Sequence, residues 1–352
     1  MSPEKAGSFG DPRREIPQFG VEKILIAGNR GPCGGVWRIF EQLDTVFDEI
    51  DKVCPGTKVY INWYPVNNIP TTFAYEQRGL VNFKNDWSAV ADGSLVIPSA
   101  HGVGPDFYEM AKAKNCVVLA DGTCQLVTRV HNLVIRAENE GKTIVYVGVG
   151  GHPETEGVRK EIINPENFIL IEEEEDVASV DLPTGRQMVV YSQTTLSTRE
   201  TANKYKALKE KFPGIEIPSR RDICYATDSR QMAVEDLVAK ADSLIVVGSK
   251  ISHNSTELAM VFNSWGKPWH MVDEPSDIEP EWFTASNKIQ AVTSGASVKD
   301  GLLYPVVDRI SQLNPKAKIV HEEQIIEENL ALVFKYDAEA IRGVVRQFTQ
   351  AA

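Results

Sequence analysis

Residues 24–40, ILIAGNRGPCGGVWRIF, decide how the chain folds. The apolar run Ile24, Leu25, Ile26, Ala27 predicts a buried strand. A turn broken by glycine and proline follows over residues 28–35, and a helical pattern starts at Val36. Cys33 therefore stands where a helix begins, and there the free backbone N–H groups and the helix dipole favour a thiolate. The arrangement recurs twice. In VVLADGTCQLVTRVHNLVIRAE, Cys124 separates a strand from a helix, and in SRRDICYATDSRQMAVEDLVAKA, Cys224 precedes a helix carrying Met232, Val234 and Leu237. The three cysteines lie 91 and 100 residues apart.

Other features recur in step with them. About thirty residues after each cysteine a strand ends in a polar loop: VYINWYPVNN with Trp63, TIVYVGVGGHPETEG with His152, and SLIVVGSKISHNS with Asn254. About seventy residues after each comes another: SLVIPSAHGV with His101, MVVYSQTTLS with Thr194, and KIQAVTSGAS with Ser297. This is an internal three-fold repeat with a period longer than that of any solenoid. Strand-like and helix-like runs alternate throughout, which predicts parallel α/β sheets. Ligands in such sheets bind beyond the carboxyl ends of the strands, so all nine loops are expected to face one centre. Three α/β units are predicted, over residues 21–114, 115–213 and 214–313. They follow a flexible lead-in at 1–20 and precede a tail at 314–352 with a helical pattern near its end.

The net charge of −12, with basic and acidic residues interspersed, argues against a nucleic-acid partner. It leaves room for a small anion gripped by backbone N–H groups and neutral side chains. No apolar run approaches the roughly 20 residues that span a bilayer. The first twenty residues lack the apolar core of a signal peptide, and five widely spaced cysteines fit a reducing cytoplasm. GVGGHPETEG lacks the G-x-G-x-x-G spacing of a dinucleotide site.

A single cysteine at a helix start is ordinarily a structural thiol. That reading holds for Cys54, in a Cys-Pro-Gly turn, and for Cys116, at the start of a strand, since neither has a counterpart in the other repeats. His131, inside the Cys124 helix, reads as a packed or capping residue, and His270 and His321 lie away from the repeated loops. For Cys33, Cys124 and Cys224 the matched positions reverse the argument. Three converging thiolates suit iron–sulfur, zinc or cuprous sites. Because a [4Fe–4S] cluster held entirely by protein needs four cysteines, three leave one iron open. The surrounding loops offer His101, His152, Thr194, Thr195, Ser252, Asn254 and Ser297 to hold an oxyanion and Glu154 to move a proton.

The ordered strings NRGPCGGV, SAHGV, DGTCQLVTRVH, GHPETEG, SQTTLS, DICYATDSRQ, VVGSKISHNS and TSGAS resemble the LytB/IspH family over nearly the whole chain. The resemblance implies a trefoil of three α/β units around a central [4Fe–4S] cluster held by Cys33, Cys124 and Cys224. It also implies reduction of 4-hydroxy-3-methylbut-2-enyl diphosphate, its hydroxyl leaving as water, with electrons from ferredoxin or flavodoxin. By motif, Glu154 would relay protons with Thr194 beside the substrate hydroxyl, and His101, His152, Ser252, Asn254 and Ser297 would grip the diphosphate.

Departures cluster at the ligand end. The family pattern H-E-V-V-H-N faces WYPVNN, so Trp63 and Asn67 stand where family members have histidines, and His253 stands where they have serine. An amide can donate a hydrogen bond but cannot carry imidazolium charge. Trp63, bulkier than imidazole, is expected either to narrow the phosphate end of the pocket or to favour a ligand with a different head or tail, or else to pack between units while His101 and His152 hold the diphosphate unaided. Two alternatives follow: a paralog that reduces a different allylic or related substrate, and a non-catalytic iron–sulfur redox sensor.

Overall fold

Four consecutive apolar residues leave a strand no solvent face, so it must lie inside a sheet covered on both sides. The computed structural model, which describes residues 20–180, 185–218, 222–325 and 336–351, places it so. Strand β1 (Lys23–Ile26) leads through the Cys33 turn into helix α1 (Gly34–Val53). Next come β2 (Val59–Ile61), α2 (Ile69–Glu76), β3 (Leu80–Asn82), β4 (Leu95–Ile97), α3 (Pro105–Ala113) and β5 (Val117–Val118). The middle of the chain forms α4 (Gln125–Asn139), β6 (Thr143–Val147), α5 (Pro153–Arg159), β7 (Phe168–Ile171), α6 (Asp176–Ser179), β8 (Met188–Ser192) and α7 (Thr198–Lys211). The last third forms α8 (Tyr225–Val238), β9 (Ser243–Val247), α9 (His253–Ser264), β10 (Trp269–Val272), β11 (Ile289–Ser294), α10 (Asp300–Leu313), β12 (Lys318–His321) and α11 (Ala338–Ala351). The lead-in expected at residues 1–20 lies, except for Gly20, outside the described residues.

Three sheets result, ordered β3-β2-β4-β5, β7-β6-β8 and β10-β9-β11-β1-β12, and every pairing is parallel. The expected α/β architecture of three parallel-sheet units is therefore present. The sheets nevertheless cut across the divisions drawn at residues 114 and 213. β1 sits in the third sheet between β11 and β12, β5 joins the first, and Glu216 bridges to Val189 in the second. The strands leading into the Cys33 and Cys124 turns thus belong to the sheet of the preceding unit, cyclically, and the Glu216 bridge ahead of Cys224 follows the same pattern. Local periodicity identifies a strand, but which sheet takes it depends on the flanking apolar faces.

Those faces are explicit in the third sheet. Ile24 and Ile26 pack on one side with Ile245, Val292 and the α10 residues Leu303 and Val306. Leu25 and Ala27 pack on the other with Val234 and Leu237 of α8 and Phe262 of α9. Each Ile, Leu and Val side chain among them contributes roughly 1.5–3 kcal/mol on burial. The two-sided cover holds β1 rigid, and β1 aims the Cys33 turn.

Candidate functional site

All three repeated cysteines are helix N-caps, Cys33 before α1, Cys124 before α4 and Cys224 before α8, with Cys33 and Cys224 in extended backbone. Each is tied through its backbone to the late loop of another unit. The Cys124 N–H donates to the Ala100 carbonyl (3.0 Å), that of Cys224 to Thr194 (2.9 Å) and that of Cys33 to Ala296 (3.3 Å). These bonds close a ring of three units. The Cys33 turn is further held by Ser294, whose Oγ accepts from the Gly31 N–H at 3.0 Å. It is also held by the buried Arg230, which donates to the Gly31 carbonyl from Nε (3.0 Å) and from an Nη (2.8 Å).

The three thiols line one cavity. The other expected site residues line it as well: His101, His152 and Glu154, then Thr194 and Thr195, then Ser252, Asn254, Ser297 and Asn67. Trp63 does not. Its ring packs edge-on against Tyr64, at 5.7 Å between centroids, so the expected narrowing by the indole is not what shapes the pocket. Asn67, four residues on, supplies that loop's contact instead. Cys54 caps the end of α1 and Cys116 precedes β5, both away from the cavity. The His131 Nδ1 lies 2.8 Å from Glu161 and His270 stacks on Trp282, as packed residues do.

Glu154 is 2 % exposed and accepts two hydrogen bonds from Thr194, one from its N–H (2.7 Å) and one from Oγ1 (3.0 Å). Burial raises its carboxyl to about 7, against the Thr194 hydrogen bonds, which favour the charged form, with the Asp222 carboxylate adding to the rise. A carboxyl so placed is shared between its acid and base forms at neutral pH, as proton transfer requires. His152 caps α5, its Nδ1 accepting from the Glu154 N–H at 3.2 Å. That bond leaves the proton on Nε2, free to donate. The His101 and His152 rings meet edge to face at 5.7 Å. Burial lowers His101 to about 4, and burial with the neighbouring His101 and His253 lowers His152 to about 3. Both are neutral hydrogen-bond donors at pH 7.

The third-unit wall holds an unused donor. The Asn254 Oδ1 accepts from the Ala296 N–H at 2.8 Å, while its Nδ2 is buried with no hydrogen-bond partner. Asn254 is 5 % exposed, and an orphaned donor in such a place is satisfied by a ligand oxygen. Sequence reasoning missed Ser249. It accepts from the Ile69 N–H (2.9 Å) and donates to Asp273, thereby docking the Asn67 loop onto the third sheet. It also missed Gln193, whose amide donates to Thr195 Oγ1 at 2.9 Å. Only their place within the SQTTLS and VVGSKISHNS strings hinted at either.

Three thiols lining one cavity are a donor set that suits a soft metal or an iron–sulfur cluster. A Cβ on Gly35 would come within 2.5 Å of the Cys124 sulfur, so glycine there keeps the thiol's position open. Burial, then repulsion from Cys33, raises Cys124 to about 12, and burial with repulsion from Cys33 and Cys124 raises Cys224 well above the usual thiol range. Thiols crowded in this way need a bound cation to hold them deprotonated.

A family model described as LytB protein matches residues 24–311. The chain is 39% identical over 308 residues to a 4-hydroxy-3-methylbut-2-enyl diphosphate reductase of Mannheimia succiniciproducens, covering 87% of this chain and 95% of that protein. To the reductase of the same name from Haemophilus influenzae it is 38% identical over 309 residues, covering 88% and 95%. Its fold is similar to that of the E-1-hydroxy-2-methyl-but-2-enyl-4-diphosphate reductase from Plasmodium falciparum. The TM-score is 0.81 and the identity 27%, over 93% of this chain and 99% of that one.

Proposed function

The chain belongs to the LytB family, and from that premise we propose that it is a reductase of 4-hydroxy-3-methylbut-2-enyl diphosphate. The observation that carries the reading is that three thiols and the Glu154–Thr194 pair share one cavity. The reaction removes the allylic hydroxyl as water and consumes two electrons and two protons, giving isopentenyl and dimethylallyl diphosphates. Cys33, Cys124 and Cys224 would hold a [4Fe–4S] cluster, which when bound supplies the electrons. A ferredoxin or flavodoxin is the proposed donor, and a reducing cytoplasm the proposed location, in keeping with five free cysteines. No helix among the described residues is long and apolar enough to cross a membrane.

The chain's own residues divide the work. Glu154 holds the proton that leaves with the hydroxyl oxygen, and Thr194 fixes both carboxylate oxygens so that the proton is presented at one place. His101, His152, Ser252, Asn254 and Ser297, with Asn67 and Thr195 beside them, surround the diphosphate with neutral donors. Among the described residues this lining holds no lysine or arginine, so affinity rests on many hydrogen bonds.

The test is anaerobic purification followed by turnover with a reduced dye. A brown protein with about four irons that converts the allylic alcohol diphosphate supports the reading. A protein that binds iron and turns nothing over is the redox sensor, and one that reduces a different allylic alcohol is the paralog. A protein colourless after anaerobic reconstitution refutes the cluster.

A further inference from the structure

The three cysteine-capped helices share a second repeated residue. Arg38 lies five residues after Cys33, Arg129 five after Cys124 and Arg230 six after Cys224. Each reaches across to the segment that leads into the next cysteine. An Arg38 Nη donates at 2.7 Å to the carbonyl of Thr123, directly before Cys124. An Arg129 Nη stands 3.7 Å from Oδ1 of Asp222, two residues before Cys224. Arg230 closes the circle on the carbonyl of Gly31, two residues before Cys33. None of the three lines the cavity, so these cations belong to the support of the thiols and not to the ligand's lining. Side chains on a helix lean toward its N-terminus, which sends each guanidinium back toward the capping cysteine. Placing charge here is costly. Arg230 is 1 % exposed, and its other Nη donates to the Ala226 carbonyl at 2.8 Å. Arg38 pairs with no carboxylate among the described residues, and its Nε is buried without a partner. Charge held inside a protein is normally compensated by charge of opposite sign, which three thiolates would bring.

We propose that Arg38, Arg129 and Arg230 form a cationic ring that serves the metal site: each holds the next cysteine turn in place, and together their charges favour the reduced state of a cluster bound to Cys33, Cys124 and Cys224. Taking up one electron adds one negative charge, and positive charge nearby raises the potential at which that happens. Five residues of helix rise roughly 7.5 Å, which keeps a backward-leaning guanidinium within about 10 Å of its own cysteine. At an effective dielectric constant of about 20, a unit charge at that range changes a one-electron equilibrium by roughly tenfold. The inference rests on the cluster reading above, and the test separates the two.

Holoprotein is prepared anaerobically and its iron is counted per chain. The midpoint potential of the bound cluster is then read from a mediated redox titration followed by electron paramagnetic resonance. Arg38→Met, which keeps the stem and removes the charge, is expected to make the reduced form about tenfold harder to populate at a fixed potential. For one electron that is a shift of about 59 mV to lower potential. Arg38→Lys, which keeps the charge and loses the fork, should stay within about threefold of wild type. Arg129→Met should move the potential the same way as Arg38→Met, and it carries the test if that variant does not fold. Arginines of purely structural worth predict another pattern: lower Tm and less iron in the Met and Lys variants alike, with the remaining cluster at the wild-type potential. That pattern, or a shift of less than about threefold in folded, iron-loaded Arg38→Met, overturns the proposal and leaves the cluster reading standing. If wild-type protein takes up no iron, the cluster reading fails and the ring falls with it. If neither methionine variant folds, the arginines are structural and the proposal falls.

Discussion

Glu154 shows how much one buried carboxyl can be asked to do. Held near 7 by burial, it is half protonated at neutral pH, and its protonated fraction falls as pH rises. If it donates the proton, kcat declines through about pH 7 toward alkaline pH. Glu154→Gln should remove that limb and lower kcat by about 10²–10⁴-fold while KM changes little. A pH–rate profile of the variant that keeps the limb, or a loss under tenfold, would remove Glu154 from proton transfer. The residue itself was legible in GHPETEG, because a carboxylate beside a hydroxyl-rich loop is a recognisable acid. The orphaned amide nitrogen of Asn254 was not. Its lack of a partner depends on which segments pack around it, and the Asn67 loop, some 190 residues earlier, is one of those.

At the level of elements, the unit is a helix whose N-cap is a cysteine. Replacing Cys33, Cys124 or Cys224 with Ser exchanges a soft ligand for a hard one and should cost most of the bound iron, measured per chain after anaerobic purification. Cys54→Ser and Cys116→Ser should leave iron content at the wild-type level. Equal loss across all five would show that the repeat selected the wrong thiols. Gly35→Ala should lower iron content without touching a thiol, because the added methyl meets the Cys124 sulfur. The loop after β2 has its own test. Ser249→Ala frees the Ile69 N–H, and one net hydrogen bond of about 1 kcal/mol implies roughly a fivefold rise in KM with kcat intact. An unchanged KM would mean that α2 alone positions Asn67. The cysteine-capped helix starts were legible because caps and turns are local chemistry. The sheet memberships of β1 and β5 were not, since an apolar run announces burial and leaves the neighbour unnamed.

For the molecule as a whole, the last helix matters as much as the first strand. α11 lays Ile341 and Val345 into the core under α1, and Arg346 donates at 2.6 Å to Glu49, which is 3 % exposed. The Arg346 hydrogen bond holds the Glu49 carboxyl below its usual range. A depressed carboxyl contributes stability above its unfolded value near 4.5 and loses it as pH falls through its folded value. Arg346→Ala should therefore lower Tm by about one or two degrees at pH 7, with the gap to wild type closing in acid. A gap that persists in acid would assign the loss to packing alone. The ring of backbone bonds through the cysteines carries a different kind of consequence. Two of its junctions join segments made soon after one another, Ala100 with Cys124 and Thr194 with Cys224. The third joins Cys33 to Ala296, with Arg230 and Ser294 fastening the same turn. A nascent chain leaving the ribosome thus carries Cys33 unanchored for most of its synthesis, with β1 still lacking both of its sheet partners. The first thiol made is the last to be fixed, so the ring of cysteine turns closes only in the final part of the chain's synthesis.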